Sequence, residues 1–451
     1  MTRKKQHSLL NRADEACDIL KKHISQENII RIVSHNDADG LSAAGIIANA
    51  INEEGGKFHV TILPRLKYED INQFRNERYK LFVFCDMGSV FLNDINNFKS
   101  DVIILDHHIP GEGESNENVI HVNPHIFGIE GSKEISGSGT SYLAVRGMNK
   151  KHLANLALVG AFADMQFHNG FIGVNSLILE EAKEFAGLEV HNDLKIASKN
   201  SEPIYKSIAY TLNPGLSGLT GDLEASMMFL EKIGLSYGVK FSDLEGEEQD
   251  VLKDELINVN PKIFGEVFTT PKESPELRNL EDFGSVLDAC GKNKKFGLGI
   301  SLCLGEREKA LYAAVNLQNK YRNQLIKGFD WVRREGVVEL ENIQYMYSED
   351  KIIKTLLGTI AGVGLSIDIF DNSKPVIGMS RFHKDIKISG RTTRHLVEEG
   401  INLSTALQDV AISFGGQGGG HDIAAGAMIP FKEKDNFLNL LDEVIGKDLS
   451  K

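Results

Sequence analysis

From Ile29 onward the chain alternates short, continuously apolar, β-branched runs with longer stretches of helical periodicity. IIRIV (29–33) reads as a buried strand, followed by a turn and an apolar helix, LSAAGIIANAIN. FHVTIL (58–63), LFVFC (81–85), VIIL (102–105) and VIHV (119–122) are further strands. Runs of this kind belong to strands buried on both faces, so the pattern predicts an α/β fold with a mostly parallel sheet and helices on both sides. SGSGT (136–140) opens a helix, and LANLALVGAFAD (153–164) is apolar enough to be a buried one. Residues 191–335 carry acidic runs (DLEGEEQD, KDEL) and polar helices and read as a mainly helical connector. A smaller α/β pattern fills 336–451. There GVVELEN and KPVIGMSRF are strand-like, KTLLGTIAGVGLSI and TRHLVEEGIN helix-like, and AAGAMIP an edge strand ending at Pro430. The expected domains are therefore 1–190, with an N-terminal helix, then 191–335 and 336–451.

Composition sharpens this picture without changing it. A length of 451 residues suits two large or three ordinary domains. With 41% hydrophobic and 25% charged residues the chain can build a core, which excludes wholesale disorder. No run approaches the ~18 apolar residues that span a bilayer, so no membrane role is expected. The basic N-terminus soon becomes an amphipathic helix with acidic residues, which does not suit a secretory leader. Cys17, Cys85, Cys290 and Cys303 are widely spaced with no CxxC pair; this suits a reducing cytoplasm and excludes a thiolate zinc site of the usual spacing. The formal charge of −13, taken at face value, disfavours nucleic acid as a partner.

The chemistry concentrates at strand ends. SHNDADG follows the first strand and sets His35, Asp37 and Asp39 at alternate positions, which in extended backbone point the same way. Asp86 follows LFVFC directly, and Asp106-His107-His108 follows VIIL. Open parallel sheets build ligand sites beyond the carboxyl ends of their strands, so the three groups should share one crevice. Asp164 ends the buried helix and needs a partner of its own. One Asp after a strand is ordinarily a turn or cap residue, and Asp39 alone could cap a helix. Three such clusters on successive strand ends are not explained that way, because so much negative charge calls for a cation. Carboxylates with one or two imidazoles and no thiolate suit Mn²⁺ or Mg²⁺, and the carboxylates suffice for two ions. Two such ions suit phosphoester hydrolysis with water as the nucleophile. No GxSxG element or reactive cysteine competes with that reading.

These residues resemble the DHH phosphoesterase superfamily, whose name matches Asp106-His107-His108. DADG (37–40), FCDMG with Asp86, DHH (106–108) and GAFAD with Asp164 follow the family's motif order. GGGHDIAAG (418–426) is similar to the signature of the DHH-associated domain. Within the superfamily the chain looks like the RecJ-like single-strand exonucleases, in particular the shorter archaeal forms that include the GINS-associated nuclease. The resemblance implies Asp37 and Asp39 on different metals with Asp86 bridging, and His107 and Asp164 completing the ligands. It further implies His108 on the scissile phosphate and Asp106 orienting its neighbours. Many members carry a metal-binding His four residues before the first Asp, where Val33 stands; His35 is the candidate in its place.

The C-terminal pattern supplies the expected substrate grip. Gly418, Gly419 and Gly420 would let backbone N–H groups approach an anion as a glycine loop. His421 can donate to a phosphate, and Ser389-Gly390-Arg391 resembles the family's phosphate-holding Ser-x-Arg element. Arg381, His383, Lys384, Lys387, Arg391, Arg394 and His395 gather within fifteen residues as a basic track in an acidic chain. Much of the acid belongs to the metal site and the connector, so the net charge does not exclude nucleic acid after all. The expected function is a two-metal exonuclease on single-stranded DNA or RNA, releasing mononucleotides, in a DNA repair or replication setting. The alternatives are a short-oligonucleotide or cyclic-dinucleotide phosphodiesterase, with the same chemistry, and a replisome scaffold bound to GINS or the helicase.

Overall fold

The computed structural model describes residues 2–167 and 170–449. They form two compact units, one of 1–191 with 267–319 and one of 192–266 with 320–451. The expected connector is thus shared out. Its segment 267–319 packs with the first unit, and the rest of 192–335 with the second.

In the first unit, helix α1 (Thr2–Ser25) leads into β1 (Ile29–His35), α2 (Ala38–Glu53), β2 (Lys57–Leu63), β3 (Leu81–Cys85), β4 (Asp101–Leu105) and β5 (Val119–Val122). The strands pair in the order β2-β1-β3-β4-β5, all parallel. Every residue of β3 is buried, and its side chains alternate between two cores. Leu81, Val83 and Cys85 face the core that also takes in α1, α2, α3 (Gly137–Arg146) and α4 (Ala154–Ala163). Phe82 and Phe84 face the other core, closed by the short helices Tyr68–Arg75 and Leu92–Ile95. This double burial is why β1, β3 and β4 lack the in–out alternation of a half-exposed sheet. Because β2 and β3 lie on opposite sides of β1, the connections leave β1 and β3 in opposite directions. That opens a crevice at their carboxyl ends.

Strands β6 (Glu189–Leu194) and β7 (Phe264–Thr269) pair with each other. Helices α5 (Leu280–Lys292) and α6 (Phe296–Cys303) then contribute Leu287, Cys290, Ile300 and Leu302 to the core of the first unit. In the second unit, residues 194–263 pack a core of their own, with Leu216, Leu230, Leu252 and Ile263 fully buried.

The rest of the second unit comprises β8 (Val338–Glu339), β9 (Gln344–Tyr347), α7 (Leu357–Ser366), β10 (Val376–Phe382), β11 (Asp385–Arg391), α8 (Leu403–Ser413), β12 (Gln417–Gly420), β13 (Ala424–Pro430) and α9 (Lys434–Leu449). Its six strands run β12-β13-β11-β10-β9-β8. Helices α8 and α9 cover one face, α7 and the C-terminal half of the helix Lys309–Glu335 the other. Two expectations need correction here. AAGAMIP is not an edge strand: β13 pairs with β11 on one side and β12 on the other. The edge is β12, so the glycine run is a strand and not a loop. Without side chains its β character was invisible to pattern, and only pairing to β13 reveals it.

No helix among the described residues is long and apolar enough to cross a membrane. All four cysteines are free and buried.

Candidate metal centre and phosphate-binding elements

The site is built where β1, β3 and β4 end side by side. After β1 the chain turns at once into α2, with Asp37 as its N-cap accepting from the Gly40 amide at 2.9 Å. Gly40 is required by close approach, since a Cβ there would stand 2.5 Å from the carbonyl oxygen of His35. Asp39, in the first turn of α2, is driven into the interior and is 1% exposed. Its carboxylate accepts from the amides of Gly137 (2.7 Å) and Ser138 (2.9 Å) at the start of α3. A helix N-terminus is a natural seat for a carboxylate, because its first amides have no partner within the helix.

After β3 the backbone enters the left-handed region at Asp86 (φ 55°), an uncommon conformation for a non-glycine residue. Asp86 is buried, and a Cβ on Gly137 would lie 2.5 Å from its Oδ1. Ser34 Oγ donates to the carbonyls of Gly40 (2.7 Å) and Cys85 (3.1 Å), tying the first two loops together.

After β4, Asp106 is buried and accepts from Ser89 N, His107 N, His108 N and His108 Nδ1. Burial opposes its ionisation, but these donors and the two histidines hold the carboxyl well below the usual range. Asp106 thus belongs to none of the ligand sets below and fixes the His108 imidazole and the backbone of the loop. Bound through Nδ1, His108 keeps Nε2 free, and the side chain is 56% exposed. His107 Nδ1 donates to the carbonyl of Gly131 (2.8 Å), which turns Nε2 toward the carboxylates; burial opposes protonation of the ring, but Asp86, Asp39 and Asp164 outweigh it and raise its pKa.

That Nε2 lies 3.3 Å from Asp86 Oδ1, 3.2 Å from Asp164 Oδ2 and 3.9 Å from Asp39 Oδ2. On the other side, His35 Nδ1 is 2.7 Å from Asp37 Oδ2 and 3.6 Å from Asp86 Oδ2. Three sets of potential ligand atoms therefore converge: His35 with Asp37 and Asp86, Asp39 with His107 and Asp164, and Asp86 with His107 and His108. Asp86 belongs to two of the sets, and its Oδ1 faces His107 of the third.

The electrostatics of this packing are those of a cation site. Burial raises the pKa of Asp39, and the charge of Asp86 adds to it. Asp164 is raised likewise, by burial and then by Asp39. For His35 burial works downward, yet Asp37 and Asp86 outweigh it and raise the pKa to about 11. Asp86 Oδ1 is buried without a hydrogen bond of acceptable geometry, although His107 is 3.3 Å away. A buried carboxylate oxygen left so, facing an imidazole nitrogen among further carboxylates, fits a divalent cation with oxygen and nitrogen ligands.

The structure brings together His35, Asp37, Asp39, Asp86, Asp106, His107, His108 and Asp164. The remaining candidates belong to the second unit and cluster at one end of its sheet. Ser389 and Arg391 are two apart on β11, and Ser389 is registered with Gly426 of β13. Gly419 is registered with the same Gly426 from the opposite side, and His421 follows on the exposed edge. Gly420 has φ 148°, and a Cβ there would stand 2.6 Å from the carbonyl oxygen of Ala424. The Arg391 guanidinium lies over α7, where a Cβ on Gly358 would overlap it. Burial pushes the Arg391 pKa down, and no acidic group among the described residues offsets it. An anion would satisfy such a cation.

Several residues of the site carried no readable signal. The SGSGT segment reads as a helix start whose glycines permit close packing, but not which groups it meets: its amides hold Asp39 and Gly137 admits Asp86. Gly160 of α4 is as close: a Cβ there would overlap Asp39 Oδ1 and lie 2.8 Å from Ser138 Cβ. The Ser89 hydroxyl meets His121 Nε2 (2.8 Å) and accepts from Asn123, whose amide also donates to the His108 carbonyl (2.8 Å). This network braces the loop after β4.

Comparison with known proteins agrees with the geometry. Residues 29–161 match the DHH family, N-terminal domain, and residues 342–447 the DHHA1 domain. The chain is 35% identical to an uncharacterized protein of Methanocaldococcus jannaschii over 438 residues, 96% of this chain and 97% of that one. It is 24% identical to the single-stranded-DNA-specific exonuclease RecJ of Bacillus subtilis over 62% of its length, but spans only 36% of that relative. Its fold is similar to RecJ in complex with Mn²⁺ from Thermus thermophilus (TM-score 0.59, 16% identity, 97% of this chain, 55% of that one). It is similar also to CDC45 from Entamoeba histolytica (TM-score 0.66, 10% identity, 97% and 99%). Carboxylates and histidines on three adjacent strand ends, both domain matches and the RecJ relatives make the chain a RecJ-like member of the DHH superfamily.

Proposed function

We propose that the protein is a metal-dependent exonuclease that hydrolyses phosphodiester bonds at the end of single-stranded DNA or RNA, releasing mononucleotides. The observation that carries this reading is Asp86, whose two oxygens face the His35–Asp37 pair on one side and His107 on the other. Two cations, Mn²⁺ or Mg²⁺, would be held by His35, Asp37 and Asp86 and by Asp39, His107 and Asp164, with Asp86 common to both. Bound there, they would supply Lewis acidity toward the phosphate and lower the pKa of an attacking water.

The chain's own groups do the rest. Asp106 holds His108 through Nδ1, so Nε2 can donate to a phosphate oxygen. The amides on Asp39 keep that carboxylate from swinging into the substrate's place. Arg391, Ser389, His421 and the outward-facing amides of Gly418–Gly420 would bind another phosphate of the strand; Arg391 suits this because a fork of N–H donors matches phosphate oxygens.

Hydrolysis of end-labelled single strands with Mn²⁺ tests the proposal. Wild type should release mononucleotides, and Asp86→Ala should lose at least about a thousandfold in rate, the scale of losing a principal electrostatic group. Full activity in Asp86→Ala, or no product from wild type, refutes it. The short-oligonucleotide reading uses the same centre and differs in turning over a dinucleotide faster than a long strand. A replisome scaffold would bind GINS subunits in a pull-down and tolerate Asp86→Ala; the complete set of carboxylates favours the enzyme.

A further inference from the structure

Helix α5 lies in the stretch that reads as connector, yet it docks on the first carboxylate loop. Asp288 Oδ1 accepts from the amide of Ala38 at 3.0 Å, and Ala38 stands between Asp37 and Asp39. One turn later the two backbones touch. A Cβ on Gly291 would overlap the carbonyl oxygen of Asn36 and lie 3.7 Å from Asp37 Cα. Only glycine lets the helix come this close.

Beyond α5 the chain turns sharply. Lys294 takes φ 57°, its amide returning to the Gly291 carbonyl (3.0 Å) and that of Lys295 to the Cys290 carbonyl (2.8 Å). The turn presents Lys294 and Lys295 to solvent, where they border a shallow open depression with Phe296, Gly297, Leu298 and Ser301. Lys292 is paired with Asp288 (3.0 Å), but neither Lys294 nor Lys295 has an acidic partner among the described residues. At about 3.8 Å per residue, Lys294 is within roughly 11 Å of the residue that touches the carboxylate loop.

Exposed lysines are ordinarily just solvated. These two differ in being anchored by backbone contact to the loop that bears Asp37 and Asp39. Their turn follows directly on the contact between Gly291 and Asn36, and their charge complements a polyanion that the centre would receive. We propose that Lys294 and Lys295 bind backbone phosphates of the substrate strand beside the bond held at the carboxylate centre. This rests on the nuclease reading and adds a contact from the segment that resembles a mere connector.

The test compares the full chain with Lys294→Glu/Lys295→Glu and with Lys57→Glu/Lys80→Glu, an equal charge change. Lys57 and Lys80 are exposed at the amino ends of the strands, away from the site. Binding of a fluorescent single-stranded oligonucleotide is followed by anisotropy over a range of salt, with Ca²⁺ replacing Mn²⁺. Hydrolysis of the strand and of bis(p-nitrophenyl) phosphate is measured with Mn²⁺.

The 294/295 reversal should weaken strand binding about tenfold or more and make the salt slope shallower by about 1.4, at ~0.7 per lost contact. It should raise KM for the strand and leave hydrolysis of the small ester at the wild-type rate. Wild-type affinity and slope in that variant, or an equal loss in the 57/80 control, overturns the inference while leaving the nuclease reading intact. A wild type that binds strands through these lysines but hydrolyses neither substrate overturns the nuclease reading and supports the binding site.

Discussion

Gly160→Ala isolates how tightly the carboxylate cluster is held. In the interior of a helix, alanine for glycine ordinarily stabilises by about 1 kcal/mol. Gly160 lies in α4 but faces the site, and its new Cβ would overlap Asp39 Oδ1 and Ser138 Oγ. Neither can yield freely, because Asp39 is fixed by the Gly137 and Ser138 amides and Ser138 Oγ donates to the Ala157 carbonyl at 2.9 Å. Overpacking costs about 1–3 kcal/mol. Displacing Asp39 forfeits at least one hydrogen bond to a charged group, about 1.5–3 kcal/mol. After the propensity gain the net loss is about 3 kcal/mol.

Gly284→Ala is the matched control. Gly284 lies in α5, where a Cβ would meet the carbonyl oxygen of Val159 at 3.5 Å, an ordinary contact, so its stability should hold or rise by up to about 1 kcal/mol. Urea unfolding of the metal-stripped proteins at neutral pH measures both, and Mn²⁺ titration calorimetry then tests the site. Gly160→Ala should unfold at lower urea and bind Mn²⁺ more weakly. If it is as stable as Gly284→Ala, the close packing of α4 on Asp39 is wrong.

Other perturbations probe different parts. Burial holds His121 at about 4, from an ordinary 6.5; Asp106 opposes this and Arg12 reinforces it. Between those values the unfolded chain takes up a proton that the folded chain refuses. The stability is thus full above pH 6.5 and falls by up to about 3 kcal/mol toward pH 4; equal pH dependence of urea midpoints in His121→Gln would refute this. Mn²⁺ added to the stripped chain should raise the unfolding free energy by about 2.7 kcal/mol at a hundredfold excess over Kd, and by much less in Asp86→Asn; an equal gain in both would remove Asp86 from the ligands. Gly358→Ala should leave stability within about 1 kcal/mol, because its Cβ meets the movable end of Arg391 (Cζ at 3.0 Å), yet weaken strand binding roughly tenfold. Unchanged anisotropy titrations would show that Arg391 does not hold the strand.

The sequence by itself determined the strands of the first unit and the loops that end them. Strands buried on both faces must be apolar at every position, and the turns beyond them have to carry the polar chemistry, so β1, β3 and β4 and their acids stand out locally. It did not determine which groups support those acids. The amides on Asp39 come from 98 and 99 residues away, and the Asp288 carboxylate on Ala38 from 250. No local pattern encodes such contacts, since a helix start looks the same whether its amides face water or a carboxylate. The strand identity of Gln417–Gly420 and the assignment of 267–319 to the first unit have the same origin. A glycine run has no side-chain period to read, and an amphipathic helix such as α5 shows that it has a buried face but not what covers it. Only the folded chain shows that the apolar face of α5 is covered by the unit carrying the metal candidates, and that its last turn meets the backbone of Asn36.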